Sequence, residues 1–232
     1  MNKKAIFNWS GGKDSALALG KILDEQEFEV AFLLTTINKE SQSVGMHGVH
    51  KDLMLKQIEA IGLNVRFLEL TDSPDMETYE NQLAQLLLNA REQAIDYSIF
   101  GDINLEDLRL YREKQLSKVG FKAIFPLWKK DTKELVLEFI DKGYKSIITA
   151  IDASKLPREY AGQIITRELI NELPKDVDPC GENGEFHSFV VDAPYFKNEI
   201  KIEKGQTLSK SYQQGKIKFD FWFSPIQLKQ SK

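Results

Sequence analysis

A single cysteine, Cys180, occurs in the 232 residues. No disulfide can form within the chain, and Cys-x-x-Cys metal or redox sites are excluded. Histidine is nearly as scarce, with only His47, His50 and His187. His47 and His50 are close, but with no cysteine and no evident third ligand they do not make a structural zinc site. No apolar run approaches the ~20 residues needed to span a bilayer. Basic residues do not outnumber acidic ones, 31 against 35, for a net charge of −4. No global positive field attracts nucleic acid, so RNA or DNA binding would need a local patch. Met1-Asn2-Lys3-Lys4 leads straight into a strand-like run, without the apolar core of a signal peptide. A cytoplasmic enzyme with no membrane partner is the expectation. Internal repeats and low-complexity tracts are also lacking. What is present is 42% hydrophobic residues, enough to core one large domain or two modest ones.

Strand-like and helix-like segments alternate through the first half. Short apolar runs at 4–9, 29–37, 64–70 and 96–101 are rich in β-branched and aromatic residues, as buried parallel strands are. Between them, 14–26, 49–61 and 76–94 carry leucine and isoleucine at helical spacing. Such βαβ units predict an open parallel α/β sheet, with ligands outside the carboxyl ends of its strands. Beyond about residue 125 a helix at 131–142 and a strand at 145–151 continue the alternation. A helix over 158–172 and strands at 187–192, 198–203 and 216–223 then suggest a smaller α+β lobe. The expected division is 1–125 and 126–232, and the last residues, 227–232, should fray. The strands 198–203 and 216–223 offer an edge for pairing, so a homodimer is one expectation.

The densest signal is Ser10-Gly11-Gly12-Lys13-Asp14-Ser15, directly after the first strand. Two glycines allow a tight turn and close approach to a ligand. The turn and the start of the next helix present backbone N–H groups to one anion. Lys13 adds positive charge and Ser10 and Ser15 add hydroxyls. Asp14 beside phosphates suits Mg²⁺. The spacing is neither the Walker loop nor the dinucleotide fingerprint.

Gly101 and Asp102 close the strand 96–101, with Asn104 as the expected N-cap of a helix over 105–118. Asp102 would face the same crevice and join Asp14 as a metal ligand. On that helix Arg109 is a candidate clamp for a carboxylate or phosphate, whereas Arg112 reads as a solvated face. A second cluster is Asp178-Pro179-Cys180-Gly181-Glu182-Asn183-Gly184-Glu185-Phe186-His187-Ser188. Its Glu182, Asn183 and Glu185 could bind a metal or an amine, and His187 could be a general base; Cys180 reads as structural. Residues 45–50 read either as a site for an adenine or substrate contact or as a plain loop and helix start.

The Ser-Gly-Gly-Lys-Asp-Ser loop, the Gly101-Asp102-Ile103 to Arg109 segment, Pro126-Leu127-Trp128 and the Cys180 to His187 run occur in this order. Together they resemble the diphthine–ammonia ligase family within the PP-loop ATP pyrophosphatases, over roughly residues 4 to 200. The resemblance implies an adenine nucleotide alpha hydrolase-like (HUP) domain and a smaller lobe, with the active cleft between them. It implies that Ser10, Gly11, Gly12, Lys13, Asp14 and Ser15 bind ATP phosphates near Gly101 and Asp102. Glu182, Asn183 and Glu185 would lie on the substrate side. The family reaction adenylates a carboxylate, and ammonia then displaces AMP to give an amide. Asn183 stands where archaeal and eukaryotic members have Gly, and Phe186-His187-Ser188 replaces an aromatic-Glu-Thr ending, so this form resembles a bacterial branch.

The composition argues the same way. PP-loop enzymes that install sulfur generally need two cysteines, and glutamine-dependent ones need an added glutaminase domain. Free ammonia or a substrate amine is what remains, with an unidentified carboxylate as the acid. Two other readings stand beside the ligase. One is a protein that binds or senses ATP without turning it over, and the other is an RNA-modifying PP-loop enzyme.

Overall fold

The computed structural model describes residues 2–44, 48–71, 75–214 and 217–229. The first half runs β1 (Lys3–Asn8), α1 (Lys13–Glu25), β2 (Phe28–Asn38), a two-residue ribbon of β3 (Ser43–Val44) and β4 (Val49–His50), then α2 (Lys51–Ile61). It continues with β5 (Val65–Leu70), α3 (Met76–Arg91), β6 (Tyr97–Ile99), α4 (Glu106–Lys118) and β7 (Lys122–Ile124). Strands β5-β2-β1-β6-β7 form one sheet, every neighbouring pair parallel. The strand order reverses at β1, which opens the crevice outside the carboxyl ends of β1 and β6.

The two faces of this sheet are filled by alternate residues of the same strands. Ala5 and Phe7 enter a core shared with α1, α2 and the second half of the chain. Ile6 enters a separate cluster under α3 and α4, with Phe32, Leu34, Leu87 and Leu116. Both faces are covered, which is why these strands read as continuous apolar runs.

The second half comprises α5 (Thr132–Asp141), β8 (Lys145–Asp152), a 3-10 turn at Arg158–Tyr160 and α6 (Arg167–Glu172). It ends with β9 (Phe186–Asp192), β10 (Ile202–Lys204), β11 (Leu208–Gln214), β12 (Ile217–Phe223) and β13 (Ile226–Leu228). An antiparallel sheet has the order β11-β12-β8-β9, and β10 pairs with β13. Phe139, Ile147, Ile148 and Phe189 continue the core that contains Phe7 and Leu33.

Several expectations change here. β8 follows the alternation in sequence but joins the antiparallel sheet. The single helix expected over 158–172 is a 3-10 turn and a six-residue helix. Between them Gly162 at φ +82° breaks the helical path, and Ile164 bridges to Ile147. The strand expected at 198–203 is confined to Ile202–Lys204, while β7, β11 and β13 have no counterpart among the expected strands. Of the expected fraying tail, residues 227 and 228 belong to the strand Ile226–Leu228, and 230–232 lie outside the described residues. Helix α4 is preceded by Leu105 without a side-chain cap, so Asn104 is not its N-cap.

Candidate active site

The crevice holds a cavity of about 620 Å³, lined by the carboxyl ends of β1, β2, β5 and β6 and by residues of the second half. That is the size of a small-molecule site. Asn8, Trp9, Ser10, Asp14 and Ser15 line it from the first loop; Leu34, Ile37, Val44 and Leu70 give an apolar wall; Asp102, Arg112, Glu182 and His187 give a charged and polar one. Of the stretch 45–50, Gly45, Met46 and His47 lie outside the described residues.

The loop is held from behind. Gly11 takes φ +80°, and a Cβ there would lie 2.7 Å from Gln57 Oε1 and 2.9 Å from Met54. A Cβ on Gly12 would approach the Ser188 carbonyl at 3.3 Å. The glycines therefore serve close packing against α2 and β9; neither lines the cavity. Gly101 is required for a similar reason, since its Cβ would lie 2.9 Å from the Ser15 nitrogen at the start of α1. The Gly11 carbonyl accepts from Val190 N at 2.9 Å and Gln57 Nε2 at 3.0 Å. Lys13 N donates to Ser188 Oγ at 3.3 Å. Ser10 Oγ donates to Ser15 Oγ at 3.0 Å and accepts from Gly12 N at 3.3 Å.

Lys13 does not line the cavity either. Its side chain is 5% exposed and its ammonium pairs with Asp14 Oδ2 at 2.8 Å. The same group donates to the Cys180 carbonyl and lies 5.3 Å from the centre of the Phe186 ring. Burial alone would lower its pKa, but the charges of Asp14 and Glu182 help to raise it overall, so it stays charged.

The two arginines exchange the expected places. Arg109 Nε pairs with Glu113 at 2.8 Å, and its guanidinium lies 4.6 Å from the Trp128 ring, outside the cavity lining. Arg112 lines the cavity, 4.3 Å over the Phe100 ring. Its Nη2 donates to Asp102 Oδ1 at 3.3 Å, and its Nε sits 2.8 Å from Oδ2 in a poorly directed approach. Burial pushes the Asp102 pKa up and Asp14 adds to this, with Arg112 opposing. Residue 112 lies three beyond 109 along α4, and sequence alone does not say which face meets the crevice.

The Asp178 to His187 loop divides in two. Asp178 Oδ1 accepts from Cys180 N at 2.8 Å, and its Oδ2 accepts from Thr132 Oγ1 at 2.7 Å. Glu185, 1% exposed, accepts from Asp178 N at 3.0 Å and from Asn183 N and Nδ2 at 2.9 and 3.0 Å. Burial would raise its pKa, but these bonds hold it below the ordinary value. Glu185 and the exposed Asn183 thus shape the loop and do not line the cavity, contrary to their expected place on the substrate side. Cys180 is buried with its Sγ 3.2 Å from the Thr132 carbonyl, and burial raises its pKa far above neutrality.

Glu182 and His187 do face the cavity. Burial and the nearby Asp14 push Glu182 up to about 7, although it accepts from Asn104 N at 3.2 Å. Burial and the charge of Lys13 lower His187 to about 4, so it is neutral at pH 7. That value makes it a poor general base.

Asp14, Asp102 and Glu182 all line this cavity with carboxylates, the ligand type a hard divalent cation takes. Among the described residues, no three His, Cys, Asp or Glu side chains are placed to hold a metal ion together. One or two carboxylates suffice for Mg²⁺ carried on phosphates. Gln57 is the residue that sequence reading missed: it is fully buried, and nothing in its amphipathic helix marks it.

The Diphthamide synthase N-terminal domain profile matches residues 3–123 and the Diphthamide synthase C-terminal domain profile matches residues 131–220. Among curated proteins, the chain resembles a diphthine–ammonia ligase of Danio rerio, 26% identical over 77% of this chain and 71% of the relative. Its likeness to that of Mus musculus is 26% over 87% of this chain and 84% of the relative. To the longer protein of that name from Schizosaccharomyces pombe it is 28% identical, over 43% of this chain and 17% of the relative.

Proposed function

This chain belongs to the diphthamide synthase family, and on that premise we propose that it is an ATP-dependent amide-forming ligase. It adenylates a carboxylate, forms an amide with ammonia or an amine, and releases AMP and pyrophosphate. The observation that carries the reading is the meeting, on one cavity, of Ser10, Asp14, Ser15, Asp102, Arg112, Glu182 and His187 at a sheet's switch point. The relatives' shared name makes diphthine the first acid to try and ammonia the first nitrogen source.

Two displacements complete the reaction. A carboxylate oxygen attacks the α-phosphorus of ATP, the bond to the bridging oxygen breaks, and pyrophosphate leaves with the electron pair. Ammonia then attacks the acyl carbon, AMP leaves, and one nitrogen-bound proton passes to a base. The hydroxyls of Ser10 and Ser15 and the N–H groups opening α1 hold the departing pyrophosphate. Lys13 supplies its charge from beneath the loop. Arg112 offers its guanidinium to the acid. Glu182, with a pKa of about 7, is the group suited to take the proton. Asp14 and Asp102 would hold Mg²⁺, which would screen phosphate charge.

The test is AMP formation from Mg²⁺-ATP with diphthine or fractionated extract, with ammonium varied. AMP release that requires the acid and saturates with ammonium supports the ligase. AMP release indifferent to ammonium overturns amide formation. Tight ATP binding without AMP under any of these conditions favours a binding or sensing protein.

A further inference from the structure

The Gln57 side chain is 0% exposed, lies on α2 outside every motif of the loop, and uses its whole amide. Its Oε1 accepts from Trp9 Nε1 at 3.0 Å. Its Nε2 donates to the Gly11 carbonyl at 3.0 Å and to the Val190 carbonyl at 2.7 Å. One planar group therefore touches the residue before the loop, the loop's first glycine and β9. A buried amide satisfied on three sides is costly to replace, and this one sits where the halves of the chain meet.

Its contact with Gly11 has a directional consequence. In a trans peptide the carbonyl and the following N–H point in opposite directions. The Gly11 carbonyl is drawn inward by Gln57 and Val190 N. The Gly12 N–H must then point outward, toward Ser10 Oγ on the cavity wall. Gly11 at φ +80° is the conformation that permits this turn. Without the Gln57 donor, the peptide between Gly11 and Gly12 loses one of two anchors. A flipped peptide would turn a carbonyl, in place of this N–H, toward Ser10 Oγ and so displace the hydroxyl that lines the cavity.

We infer that Gln57 is the positioning residue of the anion site: it sets the Gly11–Gly12 peptide so that the loop donates to the polyphosphate of the nucleotide. This deepens the ATP reading and rests on it. Gln57 touches no reacting atom and acts through Gly11. Its effect should therefore fall on the polyphosphate and spare the nucleoside.

The experiment compares the affinity of α,β-methylene-ATP with that of adenosine, in the wild type, in Gln57→Met and in Ile58→Ala. Ile58 is a buried neighbour on α2, so its truncation loosens the helix without touching the loop. In Gln57→Met the preference for α,β-methylene-ATP over adenosine should fall by about tenfold or more, as one lost oriented donor implies. In Ile58→Ala the preference should hold within about threefold despite a comparable loss of thermal stability. An unchanged preference in Gln57→Met, or an equal fall in Ile58→Ala, overturns the assignment. If Gln57→Met does not fold, Gln57→Asn, whose amide is one methylene short of both carbonyls, must reduce the same preference. A wild type that holds adenosine as tightly as α,β-methylene-ATP overturns the nucleotide reading itself, a result distinct from failure of the Gln57 role.

Discussion

The loops Ser10–Ser15 and Asp178–His187 line one cavity and touch through Lys13 and the Cys180 carbonyl, yet they use their polar residues differently. In the first, Ser10, Asp14 and Ser15 line the space while Lys13 and both glycines face the protein. In the second, Glu182 and His187 line the space, while Asp178, Cys180 and Glu185 hold the loop's own shape. Glu182 and Glu185 are three residues apart, and the first is pushed up to about 7 while the second is held below its ordinary value. Burial raises both: at Glu182 it dominates and the charge of Asp14 adds to it, whereas at Glu185 several converging donors outweigh it. The lesson is that a motif names a loop's chemistry but not which members face the ligand.

The comparison breaks most visibly at the metal and phosphate end. Asp14→Asn should lower AMP release by about 1000-fold or more, and should also lower thermal stability because the buried Lys13 ammonium loses its charge partner. Wild-type-like pyrophosphate release would remove Asp14 from the metal site. Next come the two glutamates. Glu182→Gln should reduce turnover about 100-fold, the usual worth of a general base, and should erase the limb near pH 7 from the pH–rate profile. Glu185→Gln should leave turnover per folded molecule near wild type. It should lower stability to urea by about 1–3 kcal/mol, because it disturbs a buried hydrogen-bonded carboxylate. Catalytic loss in Glu185→Gln at unchanged stability would reverse the division of the loop.

The arginine pair sharpens the same point at smaller scale. Arg112→Met should raise KM for the acid about tenfold through loss of a charged contact. Arg109→Met should leave KM alone and lower stability by about 1 kcal/mol, through loss of its stacking on Trp128. An equal effect of both on KM would put Arg109 back in the site.

The smallest effect is on stability against pH in metal-free protein. His187, lowered to about 4, contributes stability that is present above its unfolded value and lost as pH falls from about 6.5 toward 4. Glu182, raised to about 7, does the opposite: its contribution is present below about 4.5 and lost as pH rises through 7. Glu182→Gln should therefore be more stable than wild type at pH 8 by about 1 kcal/mol, a figure discounted for partial exposure. No gain at pH 8 relative to pH 4 in urea unfolding would contradict the raised pKa.

Legibility followed the range of the interactions. The parallel sheet of the first half was readable because buried strands and covering helices are periodic over short windows, as in Phe28–Asn38 and Met76–Arg91. Ser10–Ser15 was readable because its turn and helix start are set by adjacent residues. Three-residue β7 carries too little pattern, and β11 mixes polar residues with an exposed Leu208 and Tyr212, so it lacks a clean alternation. The pairing of β8 with β9 and β12 is a long-range choice that a strand signal does not contain. Arg112 and Gln57 act through partners 10 and 133 residues away, Asp102 and Val190, and no window around either residue holds its partner's surroundings.

The central claim is cleavage between the α and β phosphates of ATP, driven by an acid and resolved by ammonia. It is tested most directly with ATP labelled at the α-phosphorus, incubated with Mg²⁺, ammonium, and diphthine or the active extract fraction. All of the label lost from ATP should appear in AMP, with one pyrophosphate for each AMP and one amide formed. Label appearing in ADP, with orthophosphate in place of pyrophosphate, would contradict it.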